Sequence, residues 1–196
     1  MTARDTGSGG LARAARRKSA GLRRRLAVRR WRASQARDGT TIARSVGFTG
    51  VPLPAAHARV GARSTIEQEV TIWLSGDPGA QPDFSVGEDV FVGRNTYFGV
   101  YQPISIGAAT IIGAYSYIIS ANHATARRDV PIREQGFVGE PIRIEDDVWI
   151  GTHVVILPGA TLRRGCVVAA GSVVKGEVPA YEVWGGAPAR RLSDRP

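Results

Sequence analysis

Few side chains in this chain can move a proton or attack a carbon. Those whose ordinary pKa lies nearest neutrality are three histidines, His57, His123 and His153, and one cysteine, Cys166. His123 closes the stretch "IISANH", and a charged segment, "ATARRDVPIREQGFVGEPIR", follows it at once. An imidazole near neutrality can take the proton of a hydroxyl as that oxygen attacks a carbonyl, so His123 reads as a general base. Cys166 sits in an apolar run and reads as a small buried residue. Being alone, it forms no intramolecular disulfide and no cysteine metal cluster. A three-histidine zinc site needs two ligands close in sequence. The spacings here are 66 and 30 residues, so no metal site is expected.

A general base needs a rigid support, and the chain supplies one in the form of a repeat. From Ile144, every sixth residue is a branched aliphatic: Ile144, Ile150, Ile156, Leu162, Val168 and Val174. The fifth residue of each hexad is small or β-branched: Val148, Val154, Ala160, Cys166, Ser172 and Val178. The same frame opens at Val60, Ile66, Val86, Val92, Ile106, Ile112 and Ile118, often with Gly in second place. Helices repeat at 3.6 residues and strands at 2, so neither explains a period of six. A triangular solenoid does, with one short strand and one corner per hexad and eighteen residues per coil. The aliphatic and the fifth residue then face inward, and Gly in second place turns the corner.

The beat fails once at length. Ile118 and Ile144 lie 26 residues apart, which is four hexads plus two. The segment at about 124–143 must therefore leave the prism as a loop, and long excursions from a regular scaffold carry function. His123 is expected as the last repeat residue before it. Asn122, fifth in its hexad, is expected to point inward as a structural residue.

The hexads, with "VWIGTHVVILPGATLRRGCVVAAGSVVKGEVP" and "VWGGAPARRL", resemble the hexapeptide-repeat acyltransferases, in the galactoside/maltose and cell-surface polysaccharide O-acetyltransferase branch. The likeness covers about residues 58–192. It implies an all-β, left-handed parallel β-helix. It also implies acetyl transfer from acetyl-CoA to a hydroxyl of a sugar, glycan or glycolipid, with His123 as base and no metal; the alternatives are an amino sugar or antibiotic acceptor, or a non-catalytic β-helix scaffold. The Gly186–Arg190 element is similar to that branch's closing signature and ends the repeats. The family's oxyanion Asn has its nearest counterpart in Asn95, although ungapped counting leaves Asn95 about two positions out of register. Asn95 can equally be a left-handed corner residue. By the same resemblance Trp149 walls the acceptor or thioester site. A coenzyme A groove would run past Thr152 and Ala170 towards Lys175 and Arg190, and the active site would lie between two subunits of a homotrimer. His153 reads as solvated surface and His57 as structural.

Charge is uneven. Residues 1–44 hold 13 basic and two acidic residues, a balance of +11, whereas the rest holds 13 basic and 15 acidic residues. The net +9 thus belongs to a leader, and nucleic-acid binding is not expected of the body. The expected division is a basic extension over 1–45, helical or disordered, and a β-helix over 46–192. Leu11, Ala15, Leu22, Leu26 and Ala33 line a thin stripe on the leader, with Trp31 off to one side. Such a helix can rest on an anionic membrane. No apolar run reaches the ~20 residues that span a bilayer. No hydrophobic segment follows the cationic start as in an export signal, so the expected location is cytoplasmic, with possible peripheral attachment at the inner face of the plasma membrane.

Overall fold

The computed structural model describes residues 8–36, 38–50 and 56–196, with side chains from residue 21 onward. Leu11 and Ala15 of the expected stripe therefore lie outside the described side chains. The body is the left-handed β-helix that the period of six implies. Its parallel strands stack into three faces. The first face runs through Thr41–Ile42, Thr65–Ile66, Phe91–Val92, Ile111–Ile112, Trp149–Ile150 and Val167–Val168. The second runs through Gly47–Gly50, Thr71–Leu74, Tyr97–Val100, Tyr117–Ile119, Val155–Ile156 and Val173–Val174. The third runs from Ala58–Val60 to Glu177–Val178. Pairing holds register throughout: Ile112 lies between Val92 and Ile150, and Ile118 between Phe98 and Ile156.

The inward positions behave as the pattern requires. Ile112, Ile118, Ile150, Ile156 and Leu162 are fully buried, as are the fifth-place Val148, Val154, Ala160 and Cys166. Polar fifth residues are buried too, because their hydroxyls reach the neighbouring coil. Ser116 Oγ donates to Gly151 O at 3.2 Å and accepts from Val154 N at 3.3 Å. Burial pushes the Cys166 thiol up to about 12, which removes its nucleophilic form.

One detail of the expected corner is corrected. The left-handed residue is the fourth of the hexad, as at Asn95 (φ 59°), Tyr115 (61°) and His153 (56°). The second-place Gly serves close approach. A Cβ on Gly151 would sit 2.6 Å from Ala170 N, and one on Gly113 2.5 Å from Thr152 N. Corners stack so tightly that the next coil's backbone occupies the space of a side chain.

Both ends of the prism are closed. Strand Glu182–Gly185 continues the first face, and Arg190–Asp194 folds back on it antiparallel. At the other end lies α1, the helix Ser8–Gln35. Its Trp31 is buried, stands edge-on to Phe48 at 4.6 Å and donates Nε1–H to Ala58 O at 2.8 Å. Gln35 Oε1 accepts from Val60 N at 2.9 Å. Pairing of the coils starts at Thr41, ahead of the expected boundary at 46. The helix is thus a lid on the first coil as well as a basic leader.

Two substitutions separate core volume from corner contact. Ile150→Ala should cost about 2–5 kcal/mol of unfolding free energy in urea titrations, the range for a buried cavity. Gly151→Val should yield no cooperative transition, because the clash is with backbone.

Candidate active site

Every corner between the first and second faces has four residues, and so do nearly all between the third and first. The corner between the second and third faces is where extra residues leave: 75–83 and 120–141 outright, and two more between Phe98 and Ile106, which stand eight apart instead of six. These excursions stack on one edge and overhang the second face. The longest is not the plain loop expected. Ala121–His123 pairs antiparallel with Phe137–Gly139 in a hairpin, with a 3-10 turn at Ile132–Glu134.

The hairpin changes two expectations. The last residue that keeps coil position is the buried Ser120, so His123 stands three residues into the excursion. Asn122 is exposed, not inward, because the chain has already left the prism. Ser120 is the fastening point: its hydroxyl accepts from Tyr101 N and Gln102 N, both at 2.9 Å, and donates to Gln102 O at 2.8 Å. Glu140 N donates to Ser120 O at 3.1 Å, tying the returning strand to the same residue. Gly139 passes so close that a Cβ would lie 2.5 Å from the Tyr101 ring.

His123 lines a cavity of about 290 Å³ between this hairpin and the second face. Trp73, Tyr97, Tyr117 and Phe137 supply its aromatic walls, and Asn122 also borders it. The His123 ring packs on Phe137 at 4.5 Å, across the antiparallel pair. Tyr97 and Tyr117 stack one coil apart, at 4.8 Å and 13°. Burial, and then Tyr117, push the Tyr97 phenol up, so it stays a neutral hydrogen-bond donor. The signal for these walls was present in the sequence: Tyr97 and Tyr117 are sixth in their hexads, the outward position.

The other expected residues scatter. Asn95 is an exposed corner residue and does not border the cavity in the protomer; its backbone N–H donates to Gln68 O at 3.0 Å. Its backbone is left-handed, as a corner residue's is. Trp149, 55 % exposed, stands outward on the first face and is likewise not a wall of this cavity within the protomer. Thr152 and Ala170 succeed one another on the edge between the first and second faces, and Thr152 Oγ1 donates to Ala114 O. Lys175 is exposed at the opposite edge of the second face, and Arg190 is exposed at the start of the last strand. His153 stacks on Tyr115 at 5.1 Å on the surface, and His57 Nδ1 lies 3.0 Å from Pro82 O. Among the described residues no cluster of three or more metal-ligating side chains occurs.

Residues 141–176 match the family described as bacterial transferase hexapeptide (six repeats), and residues 84–119 match the hexapeptide repeat of succinyl-transferase. The chain is 31 % identical to the galactoside O-acetyltransferase of Escherichia coli over 144 residues, covering 70 % of each protein. It is 37 % identical over 109 residues to a probable acetyltransferase of Mycobacterium tuberculosis, covering 56 % of this chain and 36 % of that one. A hexapeptide-repeat acetyltransferase of Vibrio cholerae, solved with acetyl coenzyme A, superposes with a TM-score of 0.57 at 28 % identity, covering 98 % and 92 % of the two chains. The chain belongs to the hexapeptide-repeat acyltransferases. It spans 36 % and 50 % of the first two curated relatives it matches, so its own reaction is taken up separately below.

Ser120→Ala tests the fastening of the site. It should lower stability by about 1–3 kcal/mol, since the buried Tyr101 amide and the half-buried Gln102 amide lose their acceptor. It should also raise amide exchange across residues 121–139 while leaving the strands beyond Ile144 protected.

Proposed function

We propose that this protein transfers an acetyl group from acetyl-CoA to a hydroxyl of a sugar, glycan or glycolipid. The observation that carries the reading is His123 on a hairpin beside an aromatic-walled cavity, in a chain of this family. His123 takes the acceptor's proton as its oxygen attacks the thioester carbonyl. The tetrahedral adduct collapses to the ester and expels the coenzyme A thiolate, which recovers the proton from the imidazolium. Backbone amides near the coil corners are our candidate donors for the oxyanion, with Asn95 the other candidate.

Aromatic walls support a carbohydrate acceptor, because the C–H faces of a pyranose pack on flat rings while its hydroxyls stay free for bonding. Trp73, Tyr97 and Tyr117 offer such a platform. Thr152, Ala170, Lys175 and Arg190 remain our candidates for contact with coenzyme A, whose phosphates suit the two cations.

We also infer a homotrimer. The outward positions of the first face form an apolar ladder of Phe91, Ile111, Trp149 and Val167, three of them more than a third exposed. The third face presents Arg59, Ser85, Ser105, Arg143, Thr161 and Glu177 instead. An apolar column beside a polar one favours burial of the first face against another subunit. Trp149 could wall a site only through such an arrangement.

The leader supports work at an anionic membrane surface from the cytoplasmic side. Leu22 and Leu26 are exposed, and at 3.6 residues per turn Leu22 lies about 180° around α1 from the buried Trp31. No described helix is long and apolar enough to cross a membrane.

His123→Ala should keep the fold and the thioester affinity while turnover falls about 10²–10⁴-fold. Undiminished acetyl transfer by that variant would refute the mechanism. Trp73→Ala should raise the acceptor KM by a few-fold to about tenfold and leave the acetyl-CoA KM unchanged. In light scattering, Ile111→Glu with Trp149→Glu should move the mass from three chains to one; an unchanged mass excludes the first face as the interface.

A further inference from the structure

A second cavity, of about 460 Å³, lies between α1 and the first coil, and none of the residues around His123 borders it. Five guanidinium groups line it: Arg24, Arg25, Arg29 and Arg32 from the helix and Arg44 from the coil. Its floor is apolar, formed by Val28, Val46 and Phe48, and no acidic side chain lines it. Among the described residues, none of the five arginines takes part in an ion pair.

Two of them are anchored, yet left incomplete. Arg24 donates Nε–H to Phe48 O at 3.1 Å, and Arg32 donates Nη2–H to Arg44 O at 2.8 Å. Arg24 Nη2 and Arg32 Nε are buried and lack any acceptor. A buried, unpartnered donor on a charged group is costly, and like charges one turn apart repel, as Arg25 and Arg29 do. Five uncompensated cations on a folded, Trp31-anchored support therefore mark a site that an anion would complete.

We propose that this cavity binds a phosphate-bearing ligand. A phosphate monoester brings close to two negative charges and three acceptor oxygens, whereas a carboxylate brings one charge and two oxygens. Guanidinium forks match phosphate oxygens two at a time. The apolar floor accepts the carbon substituent of an ester. The ligand is a free phosphate ester or the headgroup of an anionic lipid, since the chemistry is common to both. This inference is independent of the acetyl-transfer reading, and its test involves no turnover.

The test is calorimetric titration of the full chain with pyrophosphate at low ionic strength. Saturable binding is expected, weakened at least about tenfold in Arg25→Gln/Arg29→Gln, which removes two charge-assisted contacts from exposed rim positions. Arg23→Gln/Arg30→Gln removes the same charge from outside the cavity and should leave affinity within about twofold. Circular dichroism confirms that both variants fold. Absent binding, or equal weakening in both variants, overturns the proposal. A parallel arm uses phosphatidylcholine vesicles with and without phosphatidic acid. Vesicle capture that pyrophosphate displaces names the lipid headgroup as the source, and pyrophosphate binding without capture names a soluble ester. Vesicle capture that pyrophosphate neither displaces nor accompanies with its own binding counts against the cavity.

Discussion

Parallel strands paired in register along three faces impose one constraint: each coil must return to the same azimuth before the next begins. The inward aliphatics enforce it, since Ile112, Ile118 and Ile150 stack on their counterparts one coil away with no room to slip. A shift by one residue would turn every buried side chain to solvent. Extra residues can therefore leave only at corners. In this protein they leave at the edge between the second and third faces, in successive coils, so the excursions support one another. Ser120 and Gly139 fix the longest of them against Tyr101.

The prism also sorts its outward residues into columns. Whatever stands sixth in a hexad faces out and stacks on the sixth residue of the next coil. That rule produces an apolar ladder on the first face, a tyrosine pair on the second and a polar strip on the third. The cavity beside His123 arises where the tyrosine column meets the hairpin. The rigid part supplies the platform, and the part that departs from the repeat supplies His123. The same logic operates at the far end, where α1 closes the open coil through Trp31 and in doing so gathers five arginines around one cavity.

Much of this was legible in the residues. The period of six named the architecture, the inward set and the excursion at about 124–143. His123 stood out because it adjoins the break. Less legible was anything that depends on how the break is made. Asn122 reads as inward only if the frame persists for five places, but the chain departs after Ser120. Asn95 fits either a corner or a site, and its left-handed backbone shows the corner without bearing on the site. Glycine in second place reads as a turn residue, while its actual work is to let coils touch.

By itself the sequence determined a three-sided coil, because a strict repeat of inward aliphatics admits no other burial pattern, and it determined where that coil must be interrupted. Tertiary structure alone decided what meets across that interruption and across the helix lid. Contacts such as His123 with Phe137, Tyr97 with Tyr117 and Trp31 with Phe48 join residues far apart in the chain, and no local period encodes which of them will touch.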